Sequence, residues 1–295
     1  MQGLTRIAFN PLTWYMTPAG FDRDAAPPVR QIYGQVRDAG FAAVHAEVPD
    51  GMATEDYRQL LAETRLAPAP GYFQHPFADS SGITAAVRNA KRVAGQHAEL
   101  GLDRIFIADE VSARPRLAAP GQGADYDEGR LATLTENLAT VAAAMVAEGV
   151  TPCLHQHVGT WIETEHETEA VLAAIGAATL MLGPDTGHLA WAGADPVAFI
   201  GRHLDRVGAV HLKDIRQGAR DRAASSGANY RESVALHVFT EPGRGDVNLP
   251  AVLSLLRDFG GWAVIEVDLA DQPTPQETAR ISAAWAHAAF GSAGE

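Results

Sequence analysis

The sequence predicts an α/β protein, a single (β/α)8 TIM barrel that occupies residues 1–295. Eight short apolar runs alternate with stretches of helical spacing, and no strong linker separates them. The runs that begin at Leu180 and Val207 are apolar almost throughout, as expected of parallel strands buried on both faces. Polar residues collect where the runs end, which is the edge where α/β barrels carry their chemistry.

The other six predicted strands are residues 7–9, 42–48, 67–73, 104–108, 151–157 and 262–267. Helices are predicted at 29–38, 54–64, 81–100, 131–148 and 249–259, with further helices opening at Thr164, Asp195 and Thr274. Thr164 and Glu167 form a capping box, and Asp195-Pro196 combines a capping side chain with proline at the first helical position. Residues 112–126 and 214–240 are polar, and we expect the second stretch to be a mobile loop or lid.

Composition excludes several classes of protein. Hydrophobic residues make up 46% and charged residues 20%, which suits a globular chain with a large core. The net charge of -13 argues against nucleic acid as a partner. With one cysteine, Cys153, and no signal-like or membrane-spanning run, we expect a cytoplasmic protein that has no membrane partner. A homo-oligomer is left open.

Three of the strand ends carry ligands typical of a metal site. Asp185, His211 and Glu266 end the last three strands and therefore converge above the barrel axis. Each alone has a simpler explanation: a turn cap for Asp185, a hydrogen-bonded core residue for His211, a buried ion pair for Glu266. The preceding strand adds His155 and His157 on one face, and we expect His155 to complete a site for Mn, Co, Fe or Zn rather than Ca.

Lys213 is one of only two lysines, and a desolvated lysine can release a proton as arginine cannot. The alternative is a salt bridge to Asp214 or a nearby glutamate. His188 could hydrogen-bond the substrate or support a metal ligand; the alternative is a surface histidine at a helix start. The remaining candidates for contact with substrate lie at strand ends or are aromatic and equally suited to the core: Asn10, Trp14, Glu47, Phe73, Trp161 and Trp191.

Four motifs together resemble one family, the xylose isomerase-like barrels of the sugar phosphate isomerase/epimerase superfamily. They are residues 185–188 (Asp-Thr-Gly-His), 211–214 (His-Leu-Lys-Asp), 241–246 (Glu-Pro-Gly-Arg-Gly-Asp) and 261–266 (Gly-Trp to Glu). The resemblance covers essentially the whole chain and implies a divalent metal at Asp185, His211, Glu266 and a ligand from residues 151–157. Within the superfamily, residues 155–160 followed by Glu163-Thr164 are similar to inosose dehydratases.

One departure bears on the reaction. Epimerases of this superfamily usually have glutamate where this chain has His155, and that glutamate also acts as a base. We therefore expect a metal-dependent lyase or isomerase of a polyhydroxylated ketone, an inosose-type cyclitol or a keto sugar, with dehydration favoured. Mn or Co is the expected metal, with Fe, Zn and Mg as alternatives. His157 or Glu163 would be the base, and Lys213 or His188 would protonate the leaving hydroxyl.

Three alternatives are kept. The first is a sugar isomerase or epimerase acting on a ketose or a sugar phosphate. The second is a DNA-repair enzyme similar to endonuclease IV, for which His75 matches one extra zinc ligand; His75 is otherwise a candidate for substrate binding. The third is a non-catalytic sugar-binding barrel, which would keep the pocket and bind metal poorly.

Overall fold

Strands and helices alternate along the computed structural model, which describes residues 6–291. The strands are β1 (Ile7–Phe9), β2 (Met16–Thr17), β3 (Gly20–Phe21), β4 (Ala43–His45), β5 (Ala67–Ala69), β6 (Tyr72–His75), β7 (Arg104–Asp109), β8 (Thr151–Leu154), β9 (Met181–Leu182), β10 (Ala209–Leu212), β11 (Asp214–Ile215), β12 (Phe239–Thr240) and β13 (Trp262–Ile265).

The helices lie where the helical spacing of the sequence predicts them, with four short additions. They are α1 (Val29–Ala39), α2 (Thr54–Thr64), α3 (Ile83–Glu99), α4 (Arg114–Ala118), α5 (Glu128–Val146), α6 (Glu165–Ala174), α7 (Thr186–Trp191), α8 (Pro196–Arg202), α9 (Gln217–Ser225), α10 (Tyr230–Ala235), α11 (Leu249–Leu255) and α12 (Pro275–Gly291). The four short additions are α4, α7, α9 and α10. Short 3-10 turns lie at Pro11–Trp14, Ser80–Gly82 and Leu204–Arg206.

The barrel wall is parallel and forms as two arcs. One arc has the order β10-β13-β1-β4-β5, and the other has the order β6-β7-β8-β9. β5 and β6 are two halves of the third barrel strand, interrupted at Pro70-Gly71, so that one half pairs with β4 and the other with β7. Single bridges Leu182↔Val207 and Asp185↔His211 join β9 to the segment of β10. The predicted (β/α)8 barrel is confirmed.

The core has two parts, one inside the barrel and one between the strands and the helices. The ring of Phe106 lies in the interior, and small residues fill most of the rest: Ala8, Ala43, Ala69, Cys153, Ala209 and Val264. The larger apolar cluster packs the outer face of the strands against the helices. Because Phe106 lies 3.9 Å from His211 between ring centroids, the top of this interior core is the floor of the polar cluster described below.

Two helix starts confirm the predicted caps. Thr164 and Glu167 form the full capping box of α6, and Asp195 accepts hydrogen bonds from the first turn of α8. Residues 214–240, which the sequence predicts to be a mobile loop or lid, contain β11, α9, α10 and β12. A short amphipathic helix within a polar stretch leaves too weak a periodic signal to be recognised.

The motifs at 211–214 and 241–246 meet through one carboxylate. Asp214 accepts hydrogen bonds from the backbone N–H groups of Gly243, Gly245 and Val247, at 2.9 to 3.0 Å. Lys213 therefore does not pair with Asp214; it pairs with a nearby glutamate, Glu266, which the same alternative allowed. Across residues 6–291, no helix has the length and apolar character that a bilayer crossing requires.

Candidate active site

Four candidate ligands for a metal lie together at the carboxyl edge of the barrel. Asp185 caps the start of α7 and accepts a hydrogen bond from the His188 N–H through Oδ1, which directs its second oxygen inward. His211 lies on β10, Glu266 directly follows β13, and His155 directly follows β8. Parallel strands bring their ends to one edge, so residues more than a hundred positions apart in sequence become neighbours.

The inward atoms of this cluster have the arrangement that a cation needs. His155, Asp185 and His211 each offer one ligand atom within 4.8 Å of the others. Nδ1 of His211 lies 3.3 Å from Glu266 Oε2 and 3.7 Å from Asp185 Oδ2. Among the described residues, Asp185 Oδ2, His155 Nδ1 and both ring nitrogens of His211 have no hydrogen-bond partner. Buried polar atoms are rarely left unpaired, so these residues fit a divalent metal.

Formal charge leads to the same conclusion. Asp185, Glu266 and Asp268 are buried carboxylates, and Lys213 is the buried cation that contacts all three. When all three are ionised, the carboxylates exceed the one ammonium by two negative charges; burial opposes this by raising the pKa of Asp268, and it also lowers the pKa of His155, so His155 adds no positive charge. An excess of buried charge costs several kcal/mol per ion unless a partner compensates it. A divalent cation would restore neutrality.

Lys213 lies at the centre of this charge cluster. Its Nζ is 2.6 Å from Glu266 Oε1, 2.6 Å from Asp268 Oδ1 and 3.2 Å from His188 Nε2. Burial lowers the pKa of Lys213, but the carboxylates of Asp185, Asp268 and Glu266 outweigh it and leave that pKa well above its ordinary value. Lys213 is therefore an ammonium, contrary to the expectation that desolvation would make it release a proton easily.

The rings of His157 and His188 contact each other beside the lysine, with centroids 3.8 Å apart and planes tilted by 40°. The Nδ1–H of His157 donates to the carbonyl oxygen of Val158 at 2.7 Å, which leaves Nε2 free to accept a proton. Burial lowers the pKa of His157 to about 4, with the charge of Lys213 adding to the effect. His188 is completely buried, and burial lowers its pKa as well. Both rings are neutral at physiological pH.

A cavity of about 1380 Å³ opens above the strand ends. From the cluster, His155, His157, Glu266 and Asp268 line it, whereas Asp185, His188, His211 and Lys213 lie below these residues with no exposed surface. Asn10 and Glu47 also line the cavity, and their contact with substrate stays a prediction. Asn10 donates to Glu266 Oε2, and Glu47 pairs with Arg23 at the rim.

Four cavity residues were missed from the sequence. His45 and Tyr72 follow the alternation of their strands, and Asp268 shares the face of Glu266 two positions away, so a signal for these three existed. Tyr230 had none, because it lies on α10 within the segment expected to be a loop. Its hydroxyl donates to Asp268 Oδ2 at 3.3 Å, and its ring stacks on Trp191 at 5.4 Å.

Comparison with known proteins identifies the family. The family model described as "Xylose isomerase-like TIM barrel" matches residues 34–288, which is most of the chain. The chain belongs to this family. The resemblance inferred from the four motifs is thereby confirmed.

Two curated relatives and one solved structure are similar to this xylose isomerase-like chain. The rhizopine catabolism protein MocC of Rhizobium meliloti is 28% identical over 276 residues, covering 89% of this chain and 81% of MocC. An inosose dehydratase of Lactiplantibacillus plantarum is 33% identical over 137 residues, covering 45% of this chain and 46% of that protein. The IOLI protein, solved with a bound zinc atom, superposes with a TM-score of 0.71 at 13% identity, covering 98% and 99% of the chains.

Besides the buried residues below its floor, five residues predicted for the site lie outside the cavity of this xylose isomerase-like barrel. One of them, Trp161, packs its ring against Arg116 and Arg130. Trp14 donates from Nε1 to Gln35 and packs its edge on Phe9, so it belongs to the core. Trp191 packs between Tyr230 and Phe239 and supports the cavity wall from behind. The remaining two, His75 and Glu163, also fail to line it.

The environment of these last two explains their placement. The ring of His75 packs on Phe77 at 5.4 Å, away from the metal ligands, so the extra ligand expected for an endonuclease is not supplied. Glu163 is completely buried against Arg116 and three backbone N–H groups. Its oxygens have no path to a substrate, and the prediction that Glu163 is a base is replaced below. Sequence spacing alone does not reveal which side of a loop faces inward.

Proposed function

We propose that this protein is a divalent-metal-dependent dehydratase of a polyhydroxylated ketone, such as a keto-cyclitol of the inosose type. The chain is an enzyme of the sugar dehydratase or isomerase/epimerase kind, as predicted, and its relatives include inosose dehydratases. The observation that carries the proposal is the set of unpartnered ligand atoms on His155, Asp185 and His211 beside a protonated lysine. This combination supplies both an electrophile and a proton donor at one cavity floor.

His155, Asp185, His211 and Glu266 would hold the metal. When bound, a divalent cation polarises the substrate carbonyl as a Lewis acid and makes the neighbouring C–H more acidic. The support from this chain is the excess of two negative charges and the unpartnered atoms described above. Mn and Co remain the metals that we propose first, and the zinc of the IOLI protein makes Zn a third.

The proton at the α-carbon is taken by Nε2 of His157. This ring faces the cavity, and the carbonyl of Val158 holds its other nitrogen as the N–H form. The electron pair of the broken C–H bond forms the enediolate, which then expels the hydroxyl at the β-carbon. The departing oxygen takes a proton and leaves as water.

Lys213 supplies that proton, because the departing hydroxide is a stronger base than the lysine amine even though the carboxylates raise the pKa of Lys213. Asp268 stands between its ammonium and the cavity, with one oxygen on Lys213 Nζ and the other on the Tyr230 hydroxyl. We propose that the proton passes to the leaving hydroxyl along this Lys213–Asp268 pair. Asn10 and His45 face the same space, and they are suited to bind the remaining hydroxyls of a cyclitol or keto sugar.

Isomerisation would begin with the same proton removal and differ only in the return of the proton to the adjacent carbon. It is disfavoured because this chain has His155 where sugar epimerases use a glutamate that is both ligand and base. The acidic charge of -13 gives no support to a DNA substrate. A small polyhydroxylated molecule is thus the proposed partner, the cytoplasm the proposed location, and residues 1–295 one domain.

A substrate screen tests the proposal. Protein purified without chelator is first analysed for metal by plasma emission, and inososes and ketoses are then supplied with Mn or Co. We expect bound metal and a rise in ultraviolet absorbance from an unsaturated diketone, with the product identified by NMR. Epimers without absorbance would mean an isomerase, and the absence of both metal and turnover would mean a sugar-binding barrel.

A further inference from the structure

The carboxylate of Glu163 is fully buried and saturated by donors from two segments of the chain. Its Oε1 accepts from the backbone N–H of Gly123 at 2.8 Å and from Arg116 Nη1 at 3.1 Å. Its Oε2 accepts from the N–H of Gly159 at 2.9 Å and of Gly121 at 3.1 Å. Four donors and no exposed surface leave this carboxylate no proton to exchange with a substrate.

One of these donors belongs to a peptide group that also holds His157. The N–H of Gly159 and the carbonyl of Val158 are the two ends of a single peptide unit. The carbonyl oxygen accepts from Nδ1–H of His157 at 2.7 Å, and the N–H donates to Glu163. Since the peptide unit is planar, fixing its N–H fixes the direction of its carbonyl. Gly159 has a φ of +92°, a conformation that glycine adopts with little strain.

Arg116 compensates the negative charge of this buried carboxylate. The arginine is 1% exposed, pairs with Glu163 at 3.1 Å and pairs with Glu167 at 2.6 Å. Its Cζ lies 5.3 Å above the ring of Trp161, which packs against the guanidinium. Without Arg116, two buried carboxylates would face each other uncompensated.

The same carboxylate also holds a part of the cavity wall. Gly121 and Gly123 belong to the segment that follows β7, and this segment carries Arg114 and Leu117 into the cavity lining. Leu117 approaches Gly159 so closely that a Cβ there would lie 3.0 Å from its Cδ2. Glu163 therefore joins the segment after β7 to the loop after β8.

We infer that Glu163 is a positioning residue that orients His157 through the peptide unit between Val158 and Gly159. Its carboxylate sets the N–H, the carbonyl then keeps His157 in the Nδ1–H form, and Nε2 is left facing the cavity as a proton acceptor. A carboxylate bonded directly to a histidine does the same work in many sites; here one peptide unit stands between them. The inference rests on the proposed role of His157 only for its effect on turnover.

The test is a pair of variants with one readout that needs no substrate. Glu163→Gln keeps the size of the side chain, but its NH₂ group cannot accept from the glycines. Glu167→Gln is the matched control, because it also removes a carboxylate from Arg116 and bonds none of the three glycines. Each protein is loaded with zinc, and the histidine ¹⁵N resonances are recorded and assigned to His157 with a His157→Gln sample.

In the parent and in Glu167→Gln, we expect one protonated and one unprotonated ring nitrogen in His157. In Glu163→Gln, the two ¹⁵N shifts should move toward each other as both tautomers become populated, and turnover should fall roughly tenfold to a hundredfold with metal content unchanged. Unchanged His157 shifts would overturn the inference whatever the activity. If the His157 shifts change in Glu163→Gln but the parent protein itself shows no turnover, the inference stands and the proposed function is contradicted.

Glu163→Asp guards against loss of the fold. It keeps the negative charge that Arg116 requires but is one methylene shorter, so it cannot reach both loops as Glu163 does. The same convergence of ¹⁵N shifts in this variant supports the inference, and parental shifts contradict it. A base role for Glu163 predicts a different outcome, a lost limb of the pH–rate profile with His157 shifts unchanged.

Discussion

Lys213 Nζ and Asp268 Oδ1 lie 2.6 Å apart with both side chains buried, and only the carboxylate of the pair faces the cavity. The lysine thus holds a proton close to the substrate space without reaching it directly. Asp268 also accepts from Tyr230, which lies on a helix outside the barrel wall. The pair connects the charge cluster below the cavity to the residue that covers it.

Replacement of Lys213 by arginine should reduce turnover roughly a hundred- to ten-thousand-fold, the range typical for loss of general-acid help. Arginine keeps the positive charge but cannot give up a proton at neutral pH. Substrate affinity and metal content should change little, and all three quantities are measured against the parent. Turnover near that of the parent would reduce Lys213 to an ion-pair partner. Loss of metal would show that the larger side chain had displaced His211.

The metal ligands are tested by content rather than activity. Glu266→Gln and His211→Ala should each lose the bound metal, because each removes a ligand from a site of four. Asp185→Asn should behave likewise, and its amide oxygen can still accept from the His188 N–H that caps α7, so the fold is expected to persist. Plasma emission gives the metal content and circular dichroism the fold. His203→Ala, whose ring pairs with Glu169 on the outer surface, is the control.

Tyr230→Phe isolates one hydrogen bond at the cavity roof. The stack on Trp191 is retained, and only the hydroxyl that donates to Asp268 is lost. A hydrogen bond to a charged group contributes about 1.5 to 3 kcal/mol, so kcat/KM should fall roughly tenfold to a hundredfold. Steady-state kinetics provide the measurement, with Tyr126→Phe as the surface control. Equal kinetics in both variants would exclude Tyr230 from the site.

Gly187→Ala should disturb Lys213 from behind. A Cβ at this position would lie 2.7 Å from Lys213 Cγ and 3.0 Å from both Cβ and Cδ, closer than side chains tolerate. We expect a severalfold loss of turnover together with a lower melting temperature, since the lysine stem is fully buried. Gly176→Ala, where nothing lies within 4 Å, is the matched control. If the two variants behave alike, the contact is relieved by backbone movement.

His97 should make the free energy of unfolding depend on pH. Its Nε2 accepts from the Gly71 N–H at 3.0 Å, and its Nδ1 binds the Val93 carbonyl at 2.9 Å, so the neutral ring satisfies both partners. Burial lowers the pKa of His97 to about 4, below the ordinary value of 6.5. The unfolded chain therefore takes up the proton at a higher pH than the folded chain does. The stability that neutral His97 contributes is lost as pH falls from about 6.5 to about 4.

The loss attributable to His97 is on the order of 3 kcal/mol across that interval. His97→Gln removes the titration, so the difference in free energy of unfolding between parent and variant should shrink from pH 7 to pH 4. Comparison with the variant is needed because burial raises the pKa of Asp109 to about 6, so the cost of burying its ionised carboxylate is relieved as pH falls over much of the same interval. Urea unfolding at several pH values measures the free energy of unfolding of both proteins. A difference between parent and variant that stays constant with pH would contradict the prediction.

Much of the barrel follows from local signals. Apolar runs mark strands because each is buried on both faces, and Thr164, Glu167 and Asp195 mark helix starts because their oxygens accept the free N–H groups there. The four expected metal ligands could also be selected from a local signal, their position at the ends of predicted strands. Knowing that a residue ends a barrel strand already places it at one edge and near its counterparts.

The tertiary structure alone decided which side each of the remaining groups faces. Trp14 lies in the core and Glu163 lies buried behind a loop. Tyr230 reaches the cavity from a helix that the sequence did not indicate. The charge state of Lys213 likewise depends on three carboxylates from the ends of two strands, β9 and β13, and their summed field outweighs burial. Strand periodicity is a local property that sequence carries, whereas orientation within loops and electrostatic fields arise from contacts between distant segments.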